Sequence, residues 1–309
     1  MHPHHQPAVL ESVKERTESR HAMALSLATG AAMLLAKVGA WWITGSSAIL
    51  SDAIESVIHV AAVAFAAFSL WLSVRPASEK HPYGYERIAF FSAGAEGALI
   101  IVAAAAIIAA AVEKWIHGIQ LEALGLGTAI VAAAGALNAG LGFYLVRLGR
   151  RSNSIILEAN GKHVLTDSWT SLGVLVGLGM VMATGWRPFD PICAIAVALN
   201  ILWSGGGLVY RSALGLLDYA DPEVASALTA KLNGLAAEHG VQWHNLRFRG
   251  TGKRTIAEVH LLFPASLPIG EAHEKATWIE RRLESEFGSP LEVITHLESE
   301  EDHEIRHGR

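Results

Sequence analysis

The sequence predicts a membrane protein of two parts: an all-α domain of six spanning helices, then a small cytoplasmic α+β domain. Three observations carry this. The chain is 51% hydrophobic and only 17% charged, where soluble domains hold about a quarter charged residues. The apolar excess is uneven: residues 22–215 carry long apolar runs, whereas from Asp218 onward there are 16 acidic and 10 basic residues. The apolar runs divide into six segments of about 20 residues or more, the length that crosses a bilayer. The expected division is a cytoplasmic N-terminal tail over 1–21, a transmembrane domain over 22–215, and a cytoplasmic domain over 216–309.

The six segments are 22–43, 47–73, 88–112, 121–146, 157–184 and 190–212. They are separated by Gly-rich, Pro-rich or charged joints such as ITGSS, SVRPASEKHPYGYER and TGWRPFDP. Cytoplasmic joints of a multi-pass protein collect Lys and Arg. Here Lys14, Arg16 and Arg20, then Arg75, Lys80 and Arg87, then Arg147, Arg150, Arg151 and Lys162 mark one side. The alternate joints offer only Lys114 and Arg187. The bias predicts a multi-pass protein of the cell inner membrane with both termini in the cytoplasm. The polar start lacks the apolar core of a cleaved signal peptide and reads as a flexible, solvated tail.

The C-terminal part reads as αββαβ, a ferredoxin-like order. Residues 221–239 and 268–287 have helical spacing. VQWHNLRFRG and RTIAEVHLLFP alternate as strands about a Gly-Lys turn, and PLEVITHLE is a third strand. One sheet face should lie under the two helices.

Composition also excludes partners and chemistries. The acidic C-terminal part argues against nucleic acid, which is bound by clustered Lys and Arg. A single cysteine, Cys193, permits neither an internal disulfide nor a thiolate metal cluster. Fifteen histidines are more than packing requires. Of these, His2, His4, His5, His303 and His307 lie in polar ends and read as solvated.

Ionisable side chains within a bilayer are costly, so each is a functional candidate. The second segment contains Asp52, Glu55 and His59, and the fifth contains His163 and Asp167. Glu55/His59 and His163/Asp167 are each spaced i,i+4, which puts both members on one helical face. Two such helices face to face would present two carboxylates and two imidazoles, a donor set that suits Zn²⁺ and, more broadly, divalent transition ions. Asp52, one turn before Glu55, reads as a secondary acid. Neither segment holds the His-Glu-x-x-His string of zinc peptidases; the string in the sequence, His303 to His307, lies in the polar C-terminal end, and with no Gly-rich phosphate loop either, neither hydrolysis nor ATP-driven pumping is supported. Histidine can trade a metal for a proton near neutral pH, which points to an ion gradient as the energy source.

Several segments resemble the cation diffusion facilitator family. SSAILSDAIESVIH resembles its second-span motif, LEANGKHVLTDSWTSLGVL its fifth, and KHPYGYERIAFFSAGAEGALI its loop and third span. HNLRFRG, EVHLLF, EAHEKA and ITHLE follow in the family's order. The resemblance implies a Y- or V-shaped homodimer in the lipid bilayer, with six spans and a metallochaperone-like cytoplasmic domain per protomer. It places the transport site on Glu55, His59, His163 and Asp167. The Glu-His pair departs from the family's commoner acids and leaves the choice among Zn²⁺, Cd²⁺, Co²⁺, Fe²⁺ and Mn²⁺ open. Asn160 and Ala89 stand where the family often has acids, and read as lost accessory charges.

The resemblance further implies a peripheral metal position at His81. It implies a salt bridge between Arg87 and Asp218, and a cytoplasmic metal cluster of His244, His260, His273, His296 and Glu298. The function expected is proton-coupled efflux of divalent transition metal, Zn²⁺ first, by alternating access, and not enzymatic catalysis. Zn²⁺ would also be structural or regulatory in the cytoplasmic domain, with protons as counter-ion. The alternative is a membrane-bound metal sensor or chaperone without turnover, which would need only the C-terminal histidines.

Overall fold

The structure, a computed structural model, describes residues 6–44, 47–117 and 126–301; the side chains of 6–16, 47–55, 126–131 and scattered helix positions lie outside that description. His2, His4, His5, His303 and His307 also fall outside it. The chain divides into two compact units, residues 1–213 and 214–309.

The first unit is helical: α1 (Gln6–Thr44), α2 (Ser47–Ser73), α3 (Ile88–His117), α4 (Leu126–Arg151), α5 (Ile155–Thr184) and α6 (Phe189–Leu216). Among the described residues, three helices are long and apolar enough to cross a membrane: Ile88–Glu113, Ile155–Thr184 and Phe189–Leu216. One expectation is corrected at the N-terminus. Residues 6–21 continue α1 instead of forming a flexible tail. The stretch contains Ala, Leu, Glu, Lys and Arg with no glycine, and its lone proline, Pro7, falls in the first turn, where the missing N–H costs nothing.

Helix stops follow local chemistry. Ser154 caps α5, accepting from the Leu157 amide at 3.4 Å, and Gly185 ends it in the left-handed region at φ 73°. Asp218 does the same beyond α6 at φ 55°, where the Tyr219 amide reaches back to the Leu214 carbonyl at 3.0 Å.

Without a hydrophobic driving force between helices in lipid, close backbone approach holds such bundles together. Helix α4 carries Gly135, Gly142 and Gly149, spaced by seven and therefore on one face. A Cβ at these positions would meet Ser171, Leu165 and the Glu158 backbone of α5 within 2.8 Å. From the α5 side, a Cβ on Gly161 would lie 2.7 Å from the Val146 amide nitrogen. Helices α3 and α6 approach in the same way at Gly97 and Gly205. Glu158 joins three helices: its carboxylate takes Arg211 of α6 at 2.8 Å, Lys162 of α5 at 3.2 Å and Arg150 of α4 at 3.8 Å.

The second unit is α7 (Pro222–His239), β1 (Gln242–Gly250), β2 (Thr255–Phe263), α8 (Ile269–Glu286) and β3 (Leu291–Ser299). The strands form one sheet in the order β1-β2-β3, antiparallel between β1 and β2 and parallel between β2 and β3. Asp221 caps α7 ahead of Pro222, and Gly240 closes it at φ 61°. Ala257, Val259, Leu261 and Phe263 of β2 pack with Leu228, Leu232 and Leu235 of α7 and with Ala272, Ala276, Ile279 and Leu283 of α8. Strand alternation turns His260 to the other sheet face.

Candidate functional site

His59 of α2 meets the i,i+4 pair of α5. Nδ1 of His59 lies 3.0 Å from Nε2 of His163 and 3.7 Å from a carboxylate oxygen of Asp167. The two rings stand 4.7 Å apart, tilted by 34°. The backbone of Glu55 lies on α2 one turn before His59, but its side chain, like that of Asp52, is outside the described residues. Two donors bound to one Zn²⁺ at about 2.0–2.1 Å with tetrahedral angles sit roughly 3.3 Å from each other. The observed separations of 3.0 and 3.7 Å from His59 bracket that edge, so His59 can share an ion with either His163 or Asp167.

Residues on α1 and α3 complete the surroundings. Asn160 is buried and donates to Ser26 Oγ of α1 at 2.9 Å, so it serves as a link between α5 and α1. Ala89 is packed in the core. Two turns beyond it, α3 does present an acid that the sequence reading passed over. Glu96 is buried at 1% exposure, with a carboxylate oxygen 3.4 Å from Nδ1 of His163. The signal was available: Glu96 is a lone carboxylate in an apolar span, flanked by AGA and GALI. Such a residue is a candidate by the same bilayer rule that picked out the others.

His81 lies in the α2–α3 loop, exposed, in a tight turn closed by paired backbone bonds with Ser78 at 3.0 Å. Its ring lies against Tyr85 at 4.5 Å, and Ser78 shares a hydrogen bond with the Tyr85 hydroxyl. Arg87 immediately precedes α3, and Asp218 follows α6. They belong to separate units.

In the second unit, strand register builds a further donor cluster. His244 pairs with His260, and His260 with His296, so three histidines stand side by side across the sheet. Glu298, two residues further along β3, points to the same face. Its carboxylate lies 2.8 Å from His244 Nε2, 2.8 Å from His260 Nδ1 and 3.6 Å from His296 Nε2. Among the described residues, His244, His260 and Glu298 bring their donor atoms within 4.8 Å of one another. Burial raises the Glu298 carboxyl. Hydrogen bonds and charge from His244 and His260 outweigh that and hold it below the ordinary carboxylate range, so it is ready as an anionic ligand at neutral pH. His273 is exposed on the first turns of α8, a helix that covers the opposite sheet face. It stands apart from the strand histidines.

Comparison with known proteins agrees with this division. Residues 23–217 match the cation efflux transmembrane domain, and residues 221–300 match the cation efflux protein cytoplasmic domain. An uncharacterized transporter of Synechocystis sp. is 36% identical over 278 residues, covering 90% of this chain and 89% of that protein. The cation-efflux pump FieF of Klebsiella pneumoniae is 28% identical over 284 residues, covering 91% and 92%. That of Salmonella newport is 27% identical over 282 residues, covering 91% and 92%. The family match spans both units and includes the helices that carry His59, Glu96, His163 and Asp167: the chain belongs to the cation diffusion facilitator family of cation-efflux transporters.

Proposed function

We propose that this chain exports divalent transition-metal ions from the cytoplasm in exchange for protons, with Zn²⁺ as the preferred cargo. It acts as a homodimer, with six spans per protomer, in the cell inner membrane, both termini in the cytoplasm. One observation carries the reading: across two helices of a membrane domain, His59 stands 3.0 Å from His163 and 3.7 Å from Asp167, near the donor spacing about a tetrahedral ion. Two imidazoles favour borderline ions such as Zn²⁺ over hard ions such as Mn²⁺. Glu55 is the fourth ligand in this reading.

Exchange follows from the same atoms. When no metal is bound and one ring is an imidazolium, the two imidazole nitrogens facing at 3.0 Å share that extra proton, each ring keeping its other N–H. A cation entering from the cytoplasm displaces that proton, and a proton arriving from the more acidic outer side displaces the cation. Alternating access then needs only that the site open to one side at a time. The exposed Asp167 carboxylate (47% exposed) offers the first oxygen to an arriving ion, while the more buried His163 (13%) closes behind it.

The test is flux into proteoliposomes holding the full-length protein, with Zn²⁺, Cd²⁺, Co²⁺, Fe²⁺ and Mn²⁺ supplied separately under an imposed pH gradient. Zn²⁺ should move fastest, and its flux should follow the gradient. Asp167→Ala should abolish it while dimerisation and helix content persist. Near-normal zinc flux in that variant would sink the site assignment. Wild-type flux indifferent to the gradient would sink proton exchange. Stoichiometric binding with no flux at all would favour a sensor.

A further inference from the structure

Glu96 is the most deeply buried acid among the described residues. Glu158, the next, is neutralised by three cations, whereas both Glu96 oxygens lack a hydrogen-bond partner. The Nδ1 atom of His163 lacks one too. These orphaned atoms face each other: Nδ1 and Oε2 are 3.4 Å apart, just beyond a formed hydrogen bond. A carboxylate left unsatisfied inside a membrane span is costly and persists where it has a role.

The His163 ring stands between two neighbours. Its Nε2 edge faces His59, and its Nδ1 edge faces Glu96. For Nε2 to give its lone pair to a cation, the ring proton must sit on Nδ1, and that N–H then needs an acceptor. Metal-bound histidines almost always donate the second N–H to a carboxylate, a carbonyl or water, which fixes tautomer and ring orientation. We infer that Glu96 is a positioning residue of the transmembrane cation site: it accepts the Nδ1 proton of His163 and turns Nε2 toward His59, so it sets metal affinity without touching the metal. Glu96 is not itself a ligand, because it lies across the imidazole from a cation on Nε2. Its place on α3 gives that helix a hold on the site built by α2 and α5. Gly94 and Gly97, on either side of it, let α3 lie against α6, and that contact fixes the height at which the carboxylate stands.

The inference rests on reading His59, His163 and Asp167 as a cation site, and the test separates the two. Full-length protein in detergent is titrated with Zn²⁺ by calorimetry and with Co²⁺ by absorption spectroscopy, the cytoplasmic cluster serving as internal reference. Glu96→Leu should weaken the transmembrane site by about 10- to 100-fold, leaving the reference affinity and the number of sites unchanged. Glu96→Gln keeps an acceptor oxygen and should recover most of the loss, with the Co²⁺ spectrum at saturation as in wild type. Wild-type affinity in Glu96→Leu overturns the inference. So does a changed saturated spectrum in Glu96→Gln, which would make Glu96 a ligand. If Glu96→Leu does not fold, Glu96→Asp, which draws the acceptor back by one methylene, should weaken binding. Wild-type affinity there overturns the inference equally. A wild-type protein that binds metal only at the cytoplasmic cluster overturns the cation-site reading itself, and the role of Glu96 with it.

Discussion

His59 and His163 face each other, yet they are held differently. His163 is enclosed, with Glu96 behind it. His59 has Asp167 at 3.7 Å and, on its α1 side, Gly30, where an added Cβ would meet the ring at 3.7 Å, ordinary van der Waals contact. His59 is therefore the ligand that can be exchanged with least disturbance. His59→Asp replaces a nitrogen by a harder oxygen on a smaller side chain. The ranking of ions should shift toward Mn²⁺ and Fe²⁺, read as relative flux in the same vesicles. An unchanged ranking would remove His59 from selectivity. The i,i+4 pairs made these residues legible in the sequence, because each span carried its own internal partner. Glu96 has none on α3, and its partner lies on another helix. Its role became visible only once α3 and α5 were packed together.

Glycine spacing at the scale of elements decides which faces meet. Gly135, Gly142 and Gly149 of α4 recur every seven residues and lie against α5; around Gly140, on another face of the same helix, nothing lies within 4 Å of the place a Cβ would take. Two single substitutions on one helix therefore carry opposite expectations. Gly149→Ala places a methyl 2.5 Å from the Glu158 amide nitrogen, where backbone cannot yield without α4 and α5 moving apart. It should cost about 1–3 kcal/mol and lower the melting temperature of the detergent-solubilised protein. Gly140→Ala should leave it unchanged or slightly raised, since alanine is the better helix former. Equal melting curves for the two variants would mean that the α4–α5 contact does not depend on close approach. Element existence was plain from apolar run length, and helix ends followed from residues such as Ser154, Gly185 and Asp221. Strand β1 was less legible. Its register shifts between His244 and Arg247, with Asn245 at φ 53°. This bulge lets Trp243, Leu246 and Phe248 all pack toward the core, which strict alternation forbids.

The whole molecule carries two donor sets in two units, built by different physics. The membrane set depends on helix faces brought together by packing, and the cytoplasmic set on strand register alone. Metal must displace protons from the imidazoles of His244, His260 and His296, so the cytoplasmic cluster binds more tightly as pH rises. Glu298 follows the rule for a carboxyl held low in the fold: its contribution is present above the ordinary carboxylate range and is lost only as pH falls through its lowered value. A combined His244→Ala, His260→Ala, Glu298→Ala variant should lose that pH-dependent binding in calorimetry. Its zinc flux in proteoliposomes should fall but persist, because His59, His163 and Asp167 are untouched. Complete loss of flux, with the protein still dimeric, would make the cytoplasmic cluster an obligatory station for the ion. Unchanged binding stoichiometry would show that His244, His260 and Glu298 do not hold metal at all.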